Sequence, residues 1–167
     1  MSTDPGHDAA SPAAARDAAL GVLLVAAQFA LIGLIAWKAG PFFLALQASA
    51  LAWTVLAAGI ALGVWAVATN RPGNFNIRPA PKPGAALVTA GPYAWIRHPM
   101  YSAILLMGLA GICGVDIPGR TLVGTAFVGL LGVLWVKAGI EERLMVASHP
   151  GYAAYIKDSS KFIPWLM

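Results

Sequence analysis

The sequence predicts an all-α integral membrane protein, a bundle of about four transmembrane helices arranged as two hairpins. Of its 167 residues, 59% are hydrophobic and only 11% are charged, and the mean hydropathy is +0.71. Soluble domains are about 45–50% apolar and about 25% charged, so this chain has the higher apolar and lower charged fractions that are typical of membrane proteins. A spanning helix needs about 20 apolar residues. The four apolar runs of the chain therefore fit one membrane-embedded domain, which we assign to residues 17–167.

The first hairpin follows an N-terminal segment of a different composition. Residues 1–16 are rich in Ala, Ser, Pro and Asp and lack an apolar run, which predicts a disordered tail. The first predicted span covers residues 18–37, and the second covers residues 42–69, which is long enough to cross with some tilt. We expect a tight turn at Lys38 to Pro41 between them.

The second hairpin consists of predicted spans at residues 99–115 and 121–136, of which the latter is slightly short. A tight turn at Asp116 to Arg120 joins them. The two hairpins are connected by Asn70 to His98, a long loop that contains five prolines. Long connections without secondary structure are usually either functional or disordered. A polar and aromatic segment from Lys137 to Met167 is expected to follow the last span.

The distribution of Lys and Arg predicts the orientation. Nine of these residues fall in the N-terminal segment, the long loop and the C-terminal segment, whereas the two tight turns carry only Lys38 and Arg120. By the positive-inside rule, both termini and the long loop are cytoplasmic. The expected location is an inner (plasma) membrane.

Small residues occur at spacings that allow close helix packing. Gly59 and Gly63 are four residues apart in the second span, and Gly124, Gly129 and Gly132 recur in the fourth. Such spacing brings helix backbones close together in lipid. Packing within one chain is the simpler interpretation, and both a monomer and a homodimer remain open.

The first candidate functional segment is centred on Arg97 and His98, directly before Pro99. Proline fits the first turn of a helix, where its missing N–H costs nothing. Arg97 and His98 are therefore placed at the N-terminus of the third span, where free N–H groups and the helix dipole favour an anion. In the alternative interpretation, both side chains extend to the membrane interface without a functional role.

The second candidate is the acidic pair Glu141 and Glu142, just beyond the fourth span. Adjacent residues of a helix point about 100° apart, so at least one carboxylate is expected to turn inward and meet a cation or a ribose diol. The alternatives are a solvated helix end and ion pairs with Lys137 or Arg143. Four tryptophans are interpreted as membrane-interface anchors rather than as stacking partners of a substrate: Trp37, Trp95, Trp135 and Trp165.

Several function classes are disfavoured by the same sequence. Three His residues and one Cys are so dispersed that no metal site is predicted. The chain contains neither a Gly-rich phosphate loop nor a soluble nucleotide-binding fold, and no nucleic acid partner is expected. No ionisable residue lies within the four predicted spans, which disfavours a transporter.

Two longer motifs contain the candidate residues of both segments. The first motif is Leu87-Val88-Thr89-x-Gly91-Pro92-Tyr93-x-x-x-Arg97-His98-Pro99-x-Tyr101. The second is Glu141-Glu142-x-Leu144, followed by Gly151-Tyr152-x-x-Tyr155 and Phe162-Ile163-Pro164-Trp165. Both motifs closely resemble the isoprenylcysteine carboxyl methyltransferase family, and the likeness extends from about Asn74 to the C-terminus. The family often has Gly two residues after the Tyr of the first motif, where this chain has Ala103; the added methyl group could narrow the approach to the cofactor.

The resemblance implies a membrane enzyme that binds S-adenosyl-L-methionine in a pocket facing the cytosol. By matched position, the catalytic candidates are Arg97, His98 and Glu142. The cofactor-binding candidates are Leu87, Val88, Gly91, Pro92, Tyr93, Arg97, His98, Pro99, Tyr101, Glu141 and Glu142.

The methyl acceptor stays open at this point. The resemblance is compatible with a lipophilic or small-molecule acceptor that has a carboxylate, a thiol or an amine, and membrane lipid is the other expected partner. Two alternatives are an enzyme like the phospholipid N-methyltransferases and a non-catalytic membrane scaffold that retains the methyltransferase frame. A carboxylate acceptor would need no general base at neutral pH, and His98 is assigned to binding first.

Overall fold

The computed structural model describes residues 12–70 and 87–166, with side chains from Ala19 onward. Five α-helices and a short 3-10 turn follow one another in the described residues. They are α1 (Pro12–Leu44), α2 (Ala50–Asn70), the 3-10 turn (Gly91–Ala94), α3 (Pro99–Gly114), α4 (Ile117–Ser148) and α5 (Tyr152–Asp158). Residues 1–11 of the predicted tail and residues 71–86 of the long loop, with Arg71, Arg78 and Lys82, lie outside the described residues.

The fold class predicted from the sequence is confirmed. Among the residues that the structure describes, three helical segments are long and apolar enough to cross a membrane, namely Ala19–Leu44, Ala50–Asn70 and Ile117–Ser148, and the apolar helix Pro99–Gly114 is shorter. We had expected the fourth apolar run to be the short one, whereas α3 is the short helix, with 16 residues. Helix α1 also begins at Pro12, inside the segment that we predicted as a tail.

The first hairpin turn lies further along the chain than predicted. Helix α1 continues through Pro41 to Leu44, because a membrane helix can accommodate a proline whose freed backbone groups are satisfied locally. The turn follows at residues 45–49 and includes Leu46 at a φ of 57°. The hydroxyl of Ser49 then accepts a hydrogen bond of 3.1 Å from the Ala52 N–H and so caps α2.

Helices α2 and α3 approach each other closely through glycine. A Cβ atom on Gly59 would lie 3.1 Å from the Ala103 carbonyl oxygen, and one on Gly63 would lie 3.5 Å from the Ala103 Cβ. Gly59 and Gly63 therefore serve packing within the chain. Ala103 is buried against these glycines, so its methyl group faces α2.

The glycines of α4 behave differently. A Cβ atom on Gly124 or Gly132 would meet nothing within 4 Å, and one on Gly129 would contact only the side chain of Leu31. The main core is formed where α1, α3 and α4 meet. Its buried members include Ile35, Ala39, Val123, Ala126, Leu130, Leu134 and Ala138.

Helix α4 extends beyond the predicted span at both ends. Its 32 residues at about 1.5 Å each give about 48 Å, against about 30 Å for the hydrocarbon core of a bilayer. The helix is therefore longer than the apolar layer is thick, and its C-terminal third contains the charged residues Glu141, Glu142 and Arg143. Lys137, which we expected to begin a polar segment after the last span, is a buried residue of this helix. The prediction that no ionisable residue lies within a span was therefore wrong.

Candidate active site

The segment before α3 is held by backbone pairing with the C-terminal segment. Ile96 and Ser160 form a parallel bridge. The Arg97 N–H donates to the Ser160 carbonyl at 2.8 Å, and the His98 N–H donates to the Lys161 carbonyl at 3.2 Å. These bonds use the backbone donors next to α3 and fix the directions in which the Arg97 and His98 side chains point.

Arg97 connects three parts of the chain. Its Nε atom donates to Oε1 of Glu142 at 2.7 Å, and Nη1 donates to the carbonyl oxygens of Ile156, at 3.1 Å, and Ser159. The Arg97 side chain is only 8% exposed. Its charge is therefore neutralised by a carboxylate of the same chain, so the anion that we predicted beside it is Glu142 itself.

Glu142 is surrounded by three cationic or potentially cationic side chains. Besides Arg97, its Oε2 atom lies 3.1 Å from Nζ of Lys161, and its Oε1 atom lies 3.3 Å from Nε2 of His98. The Lys161 ammonium also lies over the ring of Trp135, 4.7 Å from the ring centroid. Both carboxylate oxygens of Glu142 are thus engaged, which makes this residue an internal counter-ion.

Glu141 has different partners. Its Oε1 atom accepts a hydrogen bond of 2.6 Å from the Tyr101 hydroxyl, and its Oε2 atom lies 3.5 Å from Nδ1 of His98. The His98 ring stacks on the Tyr101 ring, with centroids 5.4 Å apart and planes 5° apart. Because no Arg or Lys of the described residues forms an ion pair with Glu141, this carboxylate keeps more capacity for a further donor than Glu142 does.

His98 lies between the two carboxylates. Burial is the largest single influence and lowers the pKa of the imidazole, but hydrogen bonds and charge interactions with Glu141 and Glu142 outweigh it, so the pKa is raised above its ordinary value of 6.5. The histidine is therefore biased towards the protonated form. A protonated imidazole donates to a carboxylate from each ring nitrogen and has no lone pair for accepting a proton.

Beside this cluster, the 3-10 turn packs against α2 and accepts a hydrogen bond from α5. Gly91 adopts a φ of +58°, and a Cβ atom there would lie 2.7 Å from Oγ1 of Thr69, so both conformation and space favour glycine. The Tyr155 hydroxyl donates to the Tyr93 carbonyl oxygen at 2.6 Å. Burial raises the pKa values of Tyr93 and Tyr155 to about 12, so both phenols stay neutral at physiological pH.

A cleft of about 440 Å³ opens next to Arg97. Its volume lies within the range of about 300–1,000 Å³ that is usual for small-molecule sites. The two indole rings that line it, Trp95 and Trp165, are exposed. The complete lining is Trp95, Arg97, Ile156, Lys157, Asp158, Ser159, Ser160 and Trp165.

The structure brings five of the predicted residues into direct contact with one another. They are Arg97, His98, Tyr101, Glu141 and Glu142. Pro99 occupies the first turn of α3 as predicted. Gly91, Pro92 and Tyr93 form the adjoining 3-10 turn, while Leu87 and Val88 lead into it as half-buried apolar residues.

Three side chains that contact the site residues were not predicted from the sequence. One is Lys161, which lies in the C-terminal segment and pairs with Glu142. Another is Ser102, whose buried hydroxyl donates to the Phe162 carbonyl oxygen at 2.6 Å and so ties the C-terminal segment to α3. The third is Lys137, whose ammonium lies over the Tyr101 ring. The motif around Phe162 indicated that the C-terminal segment contributes to the site, but no spacing in the sequence indicates which residues pair.

Comparison with known proteins finds a family whose sequence model matches a large part of this chain. The sequence model of the isoprenylcysteine carboxyl methyltransferase (ICMT) family matches residues 50–147, a range that contains α2, α3, nearly all of α4 and the five contacting residues. The cobalt-zinc-cadmium resistance protein CzcN of Cupriavidus metallidurans is 37% identical over 82 residues, which is 48% of this chain and 36% of that protein. This chain thus matches only about a third of that relative. No solved structure gives a significant match.

The family match covers more than half of the chain and includes the whole first motif and the Glu141–Leu144 part of the second. The apolar helices agree with a family that works in the membrane. The chain therefore belongs to the isoprenylcysteine carboxyl methyltransferase family and is an integral membrane protein.

Proposed function

We propose that this protein transfers a methyl group from S-adenosyl-L-methionine to a lipophilic or small acceptor at the cytoplasmic boundary of the membrane. One observation carries the proposal. The acidic pair of α4, Glu141 and Glu142, meets Arg97 and His98 at the start of α3, beside a cleft of suitable volume. Family membership gives the reaction class.

The residues of the site fit S-adenosyl-L-methionine chemically. The molecule has a carboxylate, an ammonium and a sulfonium group, a ribose diol and a flat adenine ring. Glu141 supports binding of the cationic groups or of the diol, because its carboxylate has spare acceptor capacity. The Trp95 and Trp165 rings offer apolar faces to a flat base. When bound, the cofactor supplies an electrophilic methyl group.

The protein's own contribution is positioning. Glu142 holds Arg97, His98 and Lys161 in place, so we assign this carboxylate to preorganisation of the site. His98 is assigned to binding because its position between two carboxylates makes it a poor general base. Holding two reactants in line can lower a barrier by about 7–11 kcal/mol, which suits a displacement that needs little acid–base chemistry. Leu87, Val88, Gly91, Pro92 and Tyr93 are proposed to add apolar and backbone contacts.

The location of the site supports an acceptor that approaches from the bilayer. The acidic pair lies just past the apolar part of α4, so a group anchored in lipid would arrive at the level of the site. The Lys and Arg distribution supports a cytoplasmic location for this side, in a bacterial inner membrane. A carboxylate, a thiol or an amine can each serve as the nucleophile in this arrangement.

Methyl transfer into natural acceptors tests the proposal. Purified protein in detergent is incubated with total membrane extract and S-adenosyl-L-methionine that carries a radiolabelled methyl group, and the products are separated into lipid, protein and small-molecule fractions. We expect label in the lipid fraction or in lipid-modified protein, and less label with Glu141→Gln. A folded protein that labels no fraction above a heat-treated control would contradict the proposal.

A further inference from the structure

Lys137 is a cation buried inside the helix bundle. It lies in α4, its side chain is among the largest fully buried ones, and its residue exposure is 2%. Its ammonium donates to Oε1 of Gln28 on α1 at 2.6 Å, and Gln28 is buried as well. Within the described residues, no carboxylate forms an ion pair with it. A charge at this depth is costly, and ionisable groups inside spans usually have a functional role.

The Lys137 ammonium also reaches the candidate site. It lies 5.2 Å from the centroid of the Tyr101 ring, a distance at which a cation is attracted to the face of an aromatic ring. The hydroxyl of that ring donates to Glu141 at 2.6 Å. Lys137 and Glu141 are one helical turn apart on α4, so they share a face of this helix. A cation over the ring draws electron density from it and makes the phenol a better hydrogen-bond donor.

We propose that Lys137 is a positioning residue for cofactor binding, which acts on Glu141 through Tyr101. The ammonium fixes the Tyr101 ring and strengthens its hydrogen bond to Glu141. The Glu141 carboxylate is thereby held in one orientation, in which it can accept a further hydrogen bond from the ligand. The inference rests on the proposed function, since it assigns a role within the same cofactor site.

Gln28 adds α1 to this arrangement. Its amide oxygen accepts from Lys137 and keeps the ammonium against Tyr101. Helix α1 lies outside residues 50–147, the part that the family model matches. Gln28 therefore links an element beyond the family match to the site that the match contains, and the first helix supports binding as well as anchoring the protein.

A double-mutant cycle tests the proposal. Affinity for S-adenosyl-L-methionine is measured by calorimetry on purified protein in detergent for the wild type, Lys137→Met, Tyr101→Phe and the double variant. Methionine keeps most of the side-chain length and removes the buried charge, and the partner that it leaves without a donor, Gln28, is a neutral amide. We expect Lys137→Met to weaken binding about tenfold, the scale of one charge-assisted hydrogen bond. In the Tyr101→Phe background, the same change should alter affinity by less than about twofold.

Two further variants separate positioning from a general loss of structure. Gln28→Leu keeps the Lys137 ammonium but removes the oxygen that holds it against Tyr101, so it should weaken binding less than Lys137→Met does. Arg120→Met removes a cation from the exposed first turn of α4 and should leave affinity unchanged. Equal effects of Lys137→Met in both backgrounds, or no effect on affinity, would overturn the assignment while leaving the cofactor site intact. A folded wild type that takes up no ligand would overturn the proposed function and the assignment with it.

Discussion

The Nε atom of Arg97 lies 2.7 Å from Oε1 of Glu142, a residue 45 positions further along the chain. This ion pair joins the residues before α3 to the C-terminal part of α4. Lys161, from the C-terminal segment, reaches the other oxygen of the same carboxylate at 3.1 Å. The site is therefore held together by one acidic side chain with several basic partners.

The first prediction concerns the order in which substitutions of this cluster destabilise the protein. Glu142→Gln leaves Arg97 and Lys161 without their anion, whereas Arg97→Met leaves Glu142 with other partners. Removing one partner of a buried ion pair lowers the free energy of unfolding by about 3–5 kcal/mol. We expect Glu142→Gln to lower the thermal unfolding temperature in detergent more than Arg97→Met, and Arg97→Met more than Lys161→Met.

The matched control for this series is Arg143→Met, because Arg143 is exposed on the same helix. It should leave the unfolding temperature within the error of the wild type. Equal unfolding temperatures for Glu142→Gln and the wild type would contradict the view of Glu142 as an internal counter-ion.

A second prediction follows from the raised pKa of His98. A group that binds its proton more tightly in the folded state contributes stability that is fully present below its unfolded pKa of about 6.5. This stability is lost as the pH rises through the higher folded pKa. The unfolding temperature should therefore fall as the pH is raised from about 6 to about 9, and His98→Gln should show a flatter profile. Parallel profiles for the two proteins would argue against a charged imidazole between the two glutamates.

The third prediction tests how the C-terminal segment is attached. Ser102→Ala removes the buried donor to the Phe162 carbonyl and leaves that oxygen unsatisfied, at a cost of about 1–3 kcal/mol. We expect faster proteolytic cleavage within the last residues of the chain. Ser148→Ala is the control, because the Ser148 hydroxyl bonds to its own helix at an exposed position. Cleavage at the wild-type rate in Ser102→Ala would show that other contacts hold the segment.

A fourth prediction concerns the packing of α2 on α3. A Cβ atom at Gly59 would lie 3.0 Å from Cγ of Met107 and 3.1 Å from the Ala103 carbonyl oxygen, so Gly59→Val should cost about 1–3 kcal/mol by overpacking. At Gly132 a Cβ atom meets nothing within 4 Å. Gly132→Val should then be neutral or stabilising, because valine is a better helix former than glycine. The two variants are compared by their unfolding temperatures in detergent. An equal shift in both would contradict the close approach of α2 to α3 at Gly59.

The fold class could be predicted from the sequence, and so could the two segments that form the candidate site. The reasons are physical. Apolar runs reveal spanning helices because a helix that crosses lipid must be apolar over its whole span. The Arg97–His98–Pro99 and Glu141–Glu142 motifs can be recognised because each consists of residues that are adjacent in the chain. Helix ends were less predictable. Pro41 is a usual sign of a turn, but α1 continues past it, and α4 continues beyond its apolar part because its polar end pairs with other segments.

Partners that depend on tertiary folding could not be read from the sequence. Lys137 looks like the first residue of a polar segment, and only the placement of α1 brings Gln28 to its ammonium, 109 residues away in the chain. In the same way, Lys161 looks like any basic residue near a membrane until the bridge between Ile96 and Ser160 brings it to Glu142. Both pairs require knowledge of which helix faces meet.

Direct binding of S-adenosyl-L-methionine to the purified protein tests the central claim most directly. Isothermal titration calorimetry in detergent should show saturable uptake by the wild type and a loss of about tenfold or more in affinity for Glu141→Gln, since a carboxylate that accepts from the ligand would be replaced by a neutral amide. Arg120→Met should bind like the wild type. A folded wild type without measurable uptake, or a Glu141→Gln variant with unchanged affinity, would contradict a cofactor site formed where the end of α4 meets the start of α3.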